Sequence, residues 1–327
     1  MSNDISIDLS VVVPLFNEEQ NLPNLYRRLK EVCTSITDSH EIIFVDDGSS
    51  DSTRQGLQNM EDPQSYYLHL SRNFGHQIAV SAGLEYSRGE AVVIIDGDLQ
   101  DPPELIPELY AKYNEGYNVV YARRKKRKGE SVFKLITAKA FYRILNRLTS
   151  INIPVDTGDF RLIDRQVVAY LSKMPEHNKF LRGQIAWLGM RQTDVLYDRD
   201  AREHGTTGYS FKKMLNLAIS GITGFSDQPL KLVTRLGLSI SVLSFGLILY
   251  ALYSHFILGE TITGWTSLIF AISFFGGIQL ISLGIIGEYL SRIHQNVQDR
   301  PLYIVQDSNH PKHHFNSRLN KQPSQNT

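Results

Sequence analysis

Short, unbroken apolar runs alternate with helical spacing over the first 125 residues of the chain. Leu9 to Pro14 reads LSVVVP, Glu41 to Val45 reads EIIFV, Tyr66 to Leu70 follows, then Ala91 to Ile95, then Val119 to Ala122. Runs this short, rich in β-branched residues and bounded by turn formers, predict strands buried on both faces. Between them Leu22, Leu25 and Leu29 fall on one helical face. Short helices are expected up to about Met60 and from about Gln77 to Tyr86. Strand alternating with helix predicts an open, mainly parallel α/β sheet, with ligands in the crevice above the strand C-termini.

The second half of the chain is patterned differently. Ser131 to Leu148 is amphipathic, which suits packing on the sheet or on a bilayer. Phe211 to Phe225 repeats the pattern just before the most apolar part of the chain and is expected to lie in a membrane interface. Leu236 to Ser254 and Thr266 to Gly287 are uncharged runs of 19 and 22 residues, each long enough to span about 30 Å of hydrocarbon. The segment between them around Glu260 has no Lys or Arg. Lys212, Lys213, Lys231 and Arg235 precede the pair, and Arg292 and Arg300 follow it. Catalytic domain and both termini are therefore expected on the cytoplasmic side of a multi-pass inner-membrane protein. The boundaries predicted are a catalytic domain at 1–208, an interfacial helix and linker at 209–230, a transmembrane hairpin at 231–290 and a cytoplasmic tail at 291–327. The polar tail is expected to be disordered after Asp307.

Composition narrows the classes. The 327 residues carry no net charge, which disfavours a nucleic-acid binder. The single cysteine, Cys33, cannot form an internal disulfide and is expected to pack inside a helix. The N-terminus has neither a basic stretch nor an apolar core, so no signal peptide is expected there.

Candidate chemistry gathers where strands end. Asp96, Asp98, Gln100 and Asp101 follow the fourth strand, with Gly97 allowing a sharp turn and Pro102 and Pro103 closing it. Such oxygen ligands suit a hard divalent cation, Mg²⁺ or Mn²⁺, shared with substrate phosphates. A second acidic corner, Asp46-Asp47-Gly48-Ser49, ends the second strand. Two carboxylate clusters facing one crevice call for a cation or a donor-rich ligand such as a nucleotide. The G-x-G-x-x-G of dinucleotide folds is absent. After the fifth strand comes Arg123 to Lys128, where Arg123 is placed to meet a leaving diphosphate and the remaining cations an anionic surface or acceptor phosphate, unless the run is a plain solvated loop.

Val13-Pro14-Leu15-Phe16-Asn17-Glu18-Glu19, Val45-Asp46-Asp47-Gly48-Ser49, Asp96-Gly97-Asp98-Leu99-Gln100-Asp101-Pro102 and Thr157-Gly158-Asp159-Phe160-Arg161-Leu162 together resemble family 2 glycosyltransferases of the GT-A fold. Within that family the chain is similar to the polyprenyl-phosphate glycosyltransferases. The resemblance implies that Pro14, Phe16, Glu18 and Asp47 line the base and ribose pocket and that Asp96, Asp98 and Gln100 hold metal and diphosphate. It also puts Asp159 at the catalytic centre, next to the acceptor, with Asp98. Its implied reaction is inverting transfer of one sugar, glucose or a related hexose, from a UDP-sugar to undecaprenyl phosphate for cell-envelope glycan synthesis. The acceptor phosphate is largely dianionic near neutrality, so Asp159 is expected to orient more than to abstract a proton.

The chain departs from the pattern in two places. His76 follows Gly75 where many mannose synthases of the group carry lysine. Gln184 and Trp187 match the Q-x-x-R-W of processive synthases but Ala186 replaces its arginine, which disfavours processive synthesis. Arg182 is a candidate phosphate ligand or an ion-pair partner, and Arg202 in a Gly- and Thr-rich stretch is a candidate lid residue facing the diphosphate. Gly276, Gly277, Ser282 and Gly284 permit close helix packing and hence a homo-oligomer. Three other readings remain: a GDP-mannose donor, a hydroxylated lipid or glycan acceptor, and a membrane scaffold without chemistry.

Overall fold

A computed structural model of the protein describes residues 7–125, 157–198, 224, 226–258 and 264–312. The expected strands are present as β1 (Leu9–Leu15), β2 (His40–Asp46), β3 (Ser65–Leu70), β4 (Ala91–Ile94) and β5 (Val119–Arg124). Three more complete the sheet: β6 (Thr157–Asp164), β7 (Gln192–Tyr197) and β8 (Val305–Ser308). Their order is β7-β5-β6-β4-β1-β2-β3-β8. β6 runs antiparallel to β4 and β5, and β8 antiparallel to β3; the other pairs are parallel.

Helices cover both faces. Leu22, Leu25 and Leu29 of α1 (Leu22–Ile36), Leu57 of α2 (Thr53–Gln58) and Leu109 of α4 (Ile106–Asn114) pack on one face with Val11, Val13, Phe44 and Val93. Cys33 is buried there as a packed apolar residue, with its thiol held up at about 12 by burial. Ala79 and Val80 of α3 (His76–Tyr86), Val167 and Val168 of α5 (Arg165–Lys173), and Leu181 and Ile185 of α6 (Leu181–Trp187) cover the other. Each fully buried leucine contributes roughly 2 kcal/mol of transfer free energy. The layering explains why the strands read as continuous apolar runs.

Two sequence details are settled by strand geometry. Pro14 lies in a central strand, where a missing N–H normally breaks the ladder. Residues of one parity face one neighbour. Val12 accepts from Ile95 on the β4 side, so Pro14 faces that side too, and the β1–β4 pairing has already ended at Val12. Gly48 turns the chain at φ 70°, and a Cβ there would lie 2.5 Å from the carbonyl carbon of Arg72 and 2.6 Å from the nitrogen of Asn73. Gly48→Ala is expected to lose at least about 2 kcal/mol of unfolding free energy, read from a denaturant titration.

After the sheet, α7 (Gln228–Tyr253), a π turn (Ser254–Leu258) and α8 (Trp265–Val297) form two helices long and apolar enough to cross a membrane. Large apolar side chains such as Leu238, Phe270 and Leu280 lie two-thirds or more exposed, as lipid-facing residues do. Both helices outrun the uncharged spans expected from sequence. α8 continues ten residues past Gly287 through a polar segment, because nothing there stops a helix.

The tail differs from expectation. Residues 305–308 form the edge strand β8, and the order continues past Asp307: Ser308 donates to the carbonyl of Tyr67 at 2.7 Å, and Asn309 accepts from the Tyr67 N–H at 2.7 Å. His310 is fully buried between the rings of Tyr66 and Tyr86. Composition misses this because the segment is stabilised by a distant strand edge and carries no apolar pattern of its own. The helix expected at Ser131 to Leu148, nearly all of the interfacial helix at Phe211 to Phe225, Arg202 and the 208/209 boundary lie outside the described residues.

Candidate active site

The corners after β1, β2 and β4 meet in one crevice and lock each other. Asn17 takes φ 57° and accepts from the Ser50 N–H at 2.8 Å, while its own N–H donates to Ser49 Oγ at 2.9 Å. The Glu18 N–H donates to Thr53 Oγ1, and the Glu18 carboxylate accepts from Asn21 at 2.6 Å. Phe16 stands 46% exposed at the mouth and Pro14 is buried beneath it. Asp46 is a structural residue: it accepts from the Ser49 N–H and pairs with buried His69 at 3.0 Å. Both oxygens of Asp47 accept backbone N–H bonds, from Phe74 at 2.7 Å and Gly75 at 2.9 Å. Asp47 therefore sets the loop that launches α3, whatever else it touches.

The Asp96 corner is strained and tightly packed. Leu99 is buried at φ 58°, a conformation costly for a leucine and the kind of outlier that collects at binding sites. A Cβ on Gly97 would sit 2.4 Å from Leu15 Cδ2 and 3.3 Å from the Pro14 carbonyl oxygen, so a larger residue has to push the Leu15 side chain aside. Asp98 is buried and accepts from the Gln100 N–H at 3.2 Å. Asp101 binds the hydroxyl of Tyr197 and stands 4.0 Å from Arg124, so its place is structural.

Asp159 is brought here by an antiparallel pairing. Ile94 pairs with Arg161, and continuing that register two places sets Asp159 across from Asp96. Four donors converge on Asp159. Oδ1 accepts from Arg182 Nε at 2.8 Å and from Arg161 at 3.3 Å; Oδ2 accepts from His76 Nε2 at 3.1 Å and from Gln77 at 3.3 Å. Burial alone would raise its pKa, but Arg182, His76 and Arg161 outweigh burial and hold the carboxyl well below the usual range. Arg182, either phosphate ligand or ion-pair partner by sequence, is in this structure the partner of Asp159. Arg161 is fully buried, with further bonds to the carbonyls of Gly158 and Asp159.

His76 also reaches to 3.5 Å from Asp96 Oδ1, a buried oxygen with no hydrogen-bond partner among the described residues. Burial and then the carboxylates of Asp159, Asp101 and Asp98 push Asp96 up to about 6, against the pull of His76. His76 therefore bridges two acidic groups that would otherwise repel. An unsatisfied carboxylate oxygen at a crevice, beside Asp98 and Gln100, fits a cation that keeps waters and takes phosphate oxygens. Among the described residues no three His, Cys, Asp or Glu side chains would enclose a metal by themselves.

The cations at the end of β5 divide. Arg123 pairs with Asp194 of the neighbouring strand at 3.1 Å. Arg124 reaches into the crevice, 3.1 Å from where a Cβ on Gly158 would stand. Sequence reasoning grouped Arg124 with the other cations of its run, passed over Gln77 as a site residue and noted His76 only as a departure. Its position at the start of a helix after a strand end was the available signal.

A mainly parallel sheet with acidic corners at its strand ends is the arrangement of a GT-A glycosyltransferase, and the relatives bear that class out. The glycosyl transferase family 2 profile matches residues 10–171. The chain is 50% identical over 304 residues to the uncharacterized glycosyltransferase YkcC of Bacillus subtilis, covering 92% of this chain and 94% of that one. It is 49% identical to the uncharacterized glycosyltransferase sll0501 of Synechocystis, over 93% of this chain and 96% of that one. The SfII prophage-derived bactoprenol glucosyl transferase of Shigella flexneri is 39% identical over 92% of this chain and 98% of its own. The chain belongs to glycosyl transferase family 2.

Proposed function

We propose that the protein transfers one glucose from a UDP-sugar to a polyprenyl phosphate, of the undecaprenyl type, at the cytoplasmic face of the inner membrane, with inversion at the anomeric carbon. The carrying observation is that the crevice holding Asp96, His76, Asp159 and Arg182 and the two apolar helices belong to one chain. Bactoprenol glucosyl transferases match it along nearly their whole length, helices included. A hydroxylated acceptor needs a free general base, and Asp159, with both oxygens occupied by cationic donors, is a poor one. A phosphate acceptor arrives already deprotonated. An enzyme acting on soluble acceptors has no use for the hairpin.

Within this reading Pro14, Phe16, Glu18 and Asp47 flank the nucleoside, and Asp96, Asp98 and Gln100 hold Mg²⁺ or Mn²⁺. A bound divalent ion would supply charge stabilisation to the departing diphosphate. Arg124 adds positive charge beside that group, Arg123 would have to leave Asp194 to do so, and Arg202 is proposed to close over it. Asp159 fixes Arg182 and His76 so that their cationic edges face the reacting phosphates.

The test is incubation of membranes carrying the protein with undecaprenyl phosphate and labelled UDP-glucose, GDP-mannose and other nucleotide sugars. A glucosylated lipid phosphate is expected from UDP-glucose. A product on a lipid hydroxyl, or mannose transfer from GDP-mannose, would replace this assignment. Chelation with EDTA is expected to lower the rate by at least about 100-fold and Mg²⁺ or Mn²⁺ to restore it. Full activity in EDTA would remove the metal from the mechanism.

A further inference from the structure

α8 is 33 residues long, or about 50 Å, whereas the hydrocarbon it would cross is about 30 Å thick. The excess is its polar end, Glu288 to Val297, which projects from the apolar span as a rigid post. The post is docked. Asn178 donates to Gln295 Oε1 at 2.9 Å, the His177 N–H donates to Asn296 Oδ1 at 3.0 Å, and His177 Nε2 lies 2.8 Å from the carbonyl oxygen of Arg300. Immediately after the post, the Ser71 N–H donates to the carbonyl of Ile304, Tyr303 donates to Glu85 at 2.6 Å, and β8 pairs with β3. The end of α8 is thus held against the catalytic domain from two sides.

The segment it grips leads straight into the site. Three residues separate Asn178 from Arg182, and among them Phe180 caps α6. The Leu181 N–H donates to Gln77 Oε1 at 3.1 Å, and the same Gln77 side chain donates to Asp159. Arg182 donates to Asp159 at 2.8 Å. Every step from the post to the catalytic carboxylate is a direct contact or the short non-helical stretch from Asn178 to the start of α6.

We propose that the polar end of the second membrane helix positions the active site: by gripping His177 and Asn178 it fixes the start of α6, and with it the contact between Arg182 and Asp159. Gln295 and Asn178 are positioning residues that touch no substrate. The inference rests on the transferase reading for its consequence, that chemistry is fastest when the hairpin is seated. Its structural content stands without that reading.

The experiment uses full-length protein in membranes or nanodiscs, with Asn178→Ala, Gln295→Ala and the double variant. Each single variant is expected to lower kcat about 3- to 10-fold, the scale of one lost hydrogen bond, with KM for UDP-glucose within about twofold of wild type. The double variant should be no worse than either single one, because both remove the same contact. Asn178→Asp combined with Gln295→Lys, which rebuilds the contact as an ion pair, should recover most of the loss. Backbone hydrogen exchange over 178–187 should accelerate in the single variants. Unchanged exchange overturns the inference, and so does a kcat loss that merely follows the fraction of folded protein or a rise in KM alone. Accelerated exchange in a protein whose wild type transfers no sugar to polyprenyl phosphate would keep the mechanical link and remove the functional reading.

Discussion

Asp159→Asn is expected to lower kcat by at least about 100-fold, the usual scale for losing a positioned catalytic group, while the KM for UDP-glucose changes little. A carboxamide is nearly the same shape, so the effect comes from charge and from donor count. Arg182, Arg161, His76 and Gln77 all donate to Asp159. An amide offers one acceptor oxygen and turns two N–H groups toward the donors that had faced the other. Arg161, fully buried, would lose the carboxylate that offsets its charge. A broken buried ion pair costs roughly 3–5 kcal/mol, so the variant should also melt at lower temperature. Lipid-linked sugar formation at saturating donor and acceptor, with a thermal melt on the same sample, separates the two losses. Turnover within about tenfold of wild type would take Asp159 out of the chemistry. The pH profile carries a second discrimination. A carboxyl held well below its usual range stays ionised throughout the working range, so Asp159 adds no limb of its own to the pH profile; because its charge helps raise Asp96 to about 6, the variant's acidic limb should move to lower pH. A limb that stayed where it is in wild type would mean that the Asp159 charge does not reach Asp96.

Much of the architecture follows from local pattern alone. β1 to β5 are legible because strands buried on both faces must be apolar throughout, and the two long apolar helices because uncharged runs of about 20 residues stand out in the sequence. β6 escapes the pattern. Its run Phe160 to Ile163 contains Arg161, a charge in the middle of the core whose partners are the carbonyl of Gly158 and the carboxylate of Asp159. β7, Gln192 to Tyr197, is half polar because it forms the sheet's edge next to β5. β8 holds Gln306 and Asp307 and exists only because β3 presents an open edge some 240 positions away along the chain. The acidic corners could be read as chemistry from their composition. Which carboxylates serve the fold could not be read, because Asp46 and His69, or Asp101 and Tyr197, meet only through long-range pairing. The antiparallel turn of β6 likewise places Asp159 opposite Asp96 and gives His76 two carboxylates to bridge.

Glu41→Ala is expected to destabilise the catalytic domain by roughly 2–3 kcal/mol and to free the tail, the cost of leaving Ser10, the Arg88 N–H and a part-exposed guanidinium without their acceptor. Glu41 lies fully buried at the start of β2, at the opposite end of the sheet from the crevice. Its carboxylate accepts from Ser10 Oγ at 2.6 Å and from Arg88 through the backbone N–H at 2.7 Å and Nε at 2.8 Å. Burial opposes its ionisation, but His310, Ser10 and Arg88 prevail and bring it down to about 2. At 3.8 Å the His310 imidazole is an electrostatic neighbour beyond hydrogen-bond reach, so Ser10 and Arg88 carry most of that effect. Because the folded value lies below the unfolded one, the stabilisation is complete above the ordinary carboxylate range. It is lost as pH falls from there through about 2. A melting temperature lower by on the order of 10 °C near neutrality, with the gap between wild type and variant closing in acid, is the expected signature. Glu41→Gln should fall between the two, since the amide keeps an acceptor for Arg88 and loses only the charge. His310 lies over this carboxylate between two tyrosine rings, so removing Glu41 should also speed limited proteolysis within residues 301–312. An unchanged cleavage rate would mean that β8 and Tyr303 hold the tail without help from the buried cluster.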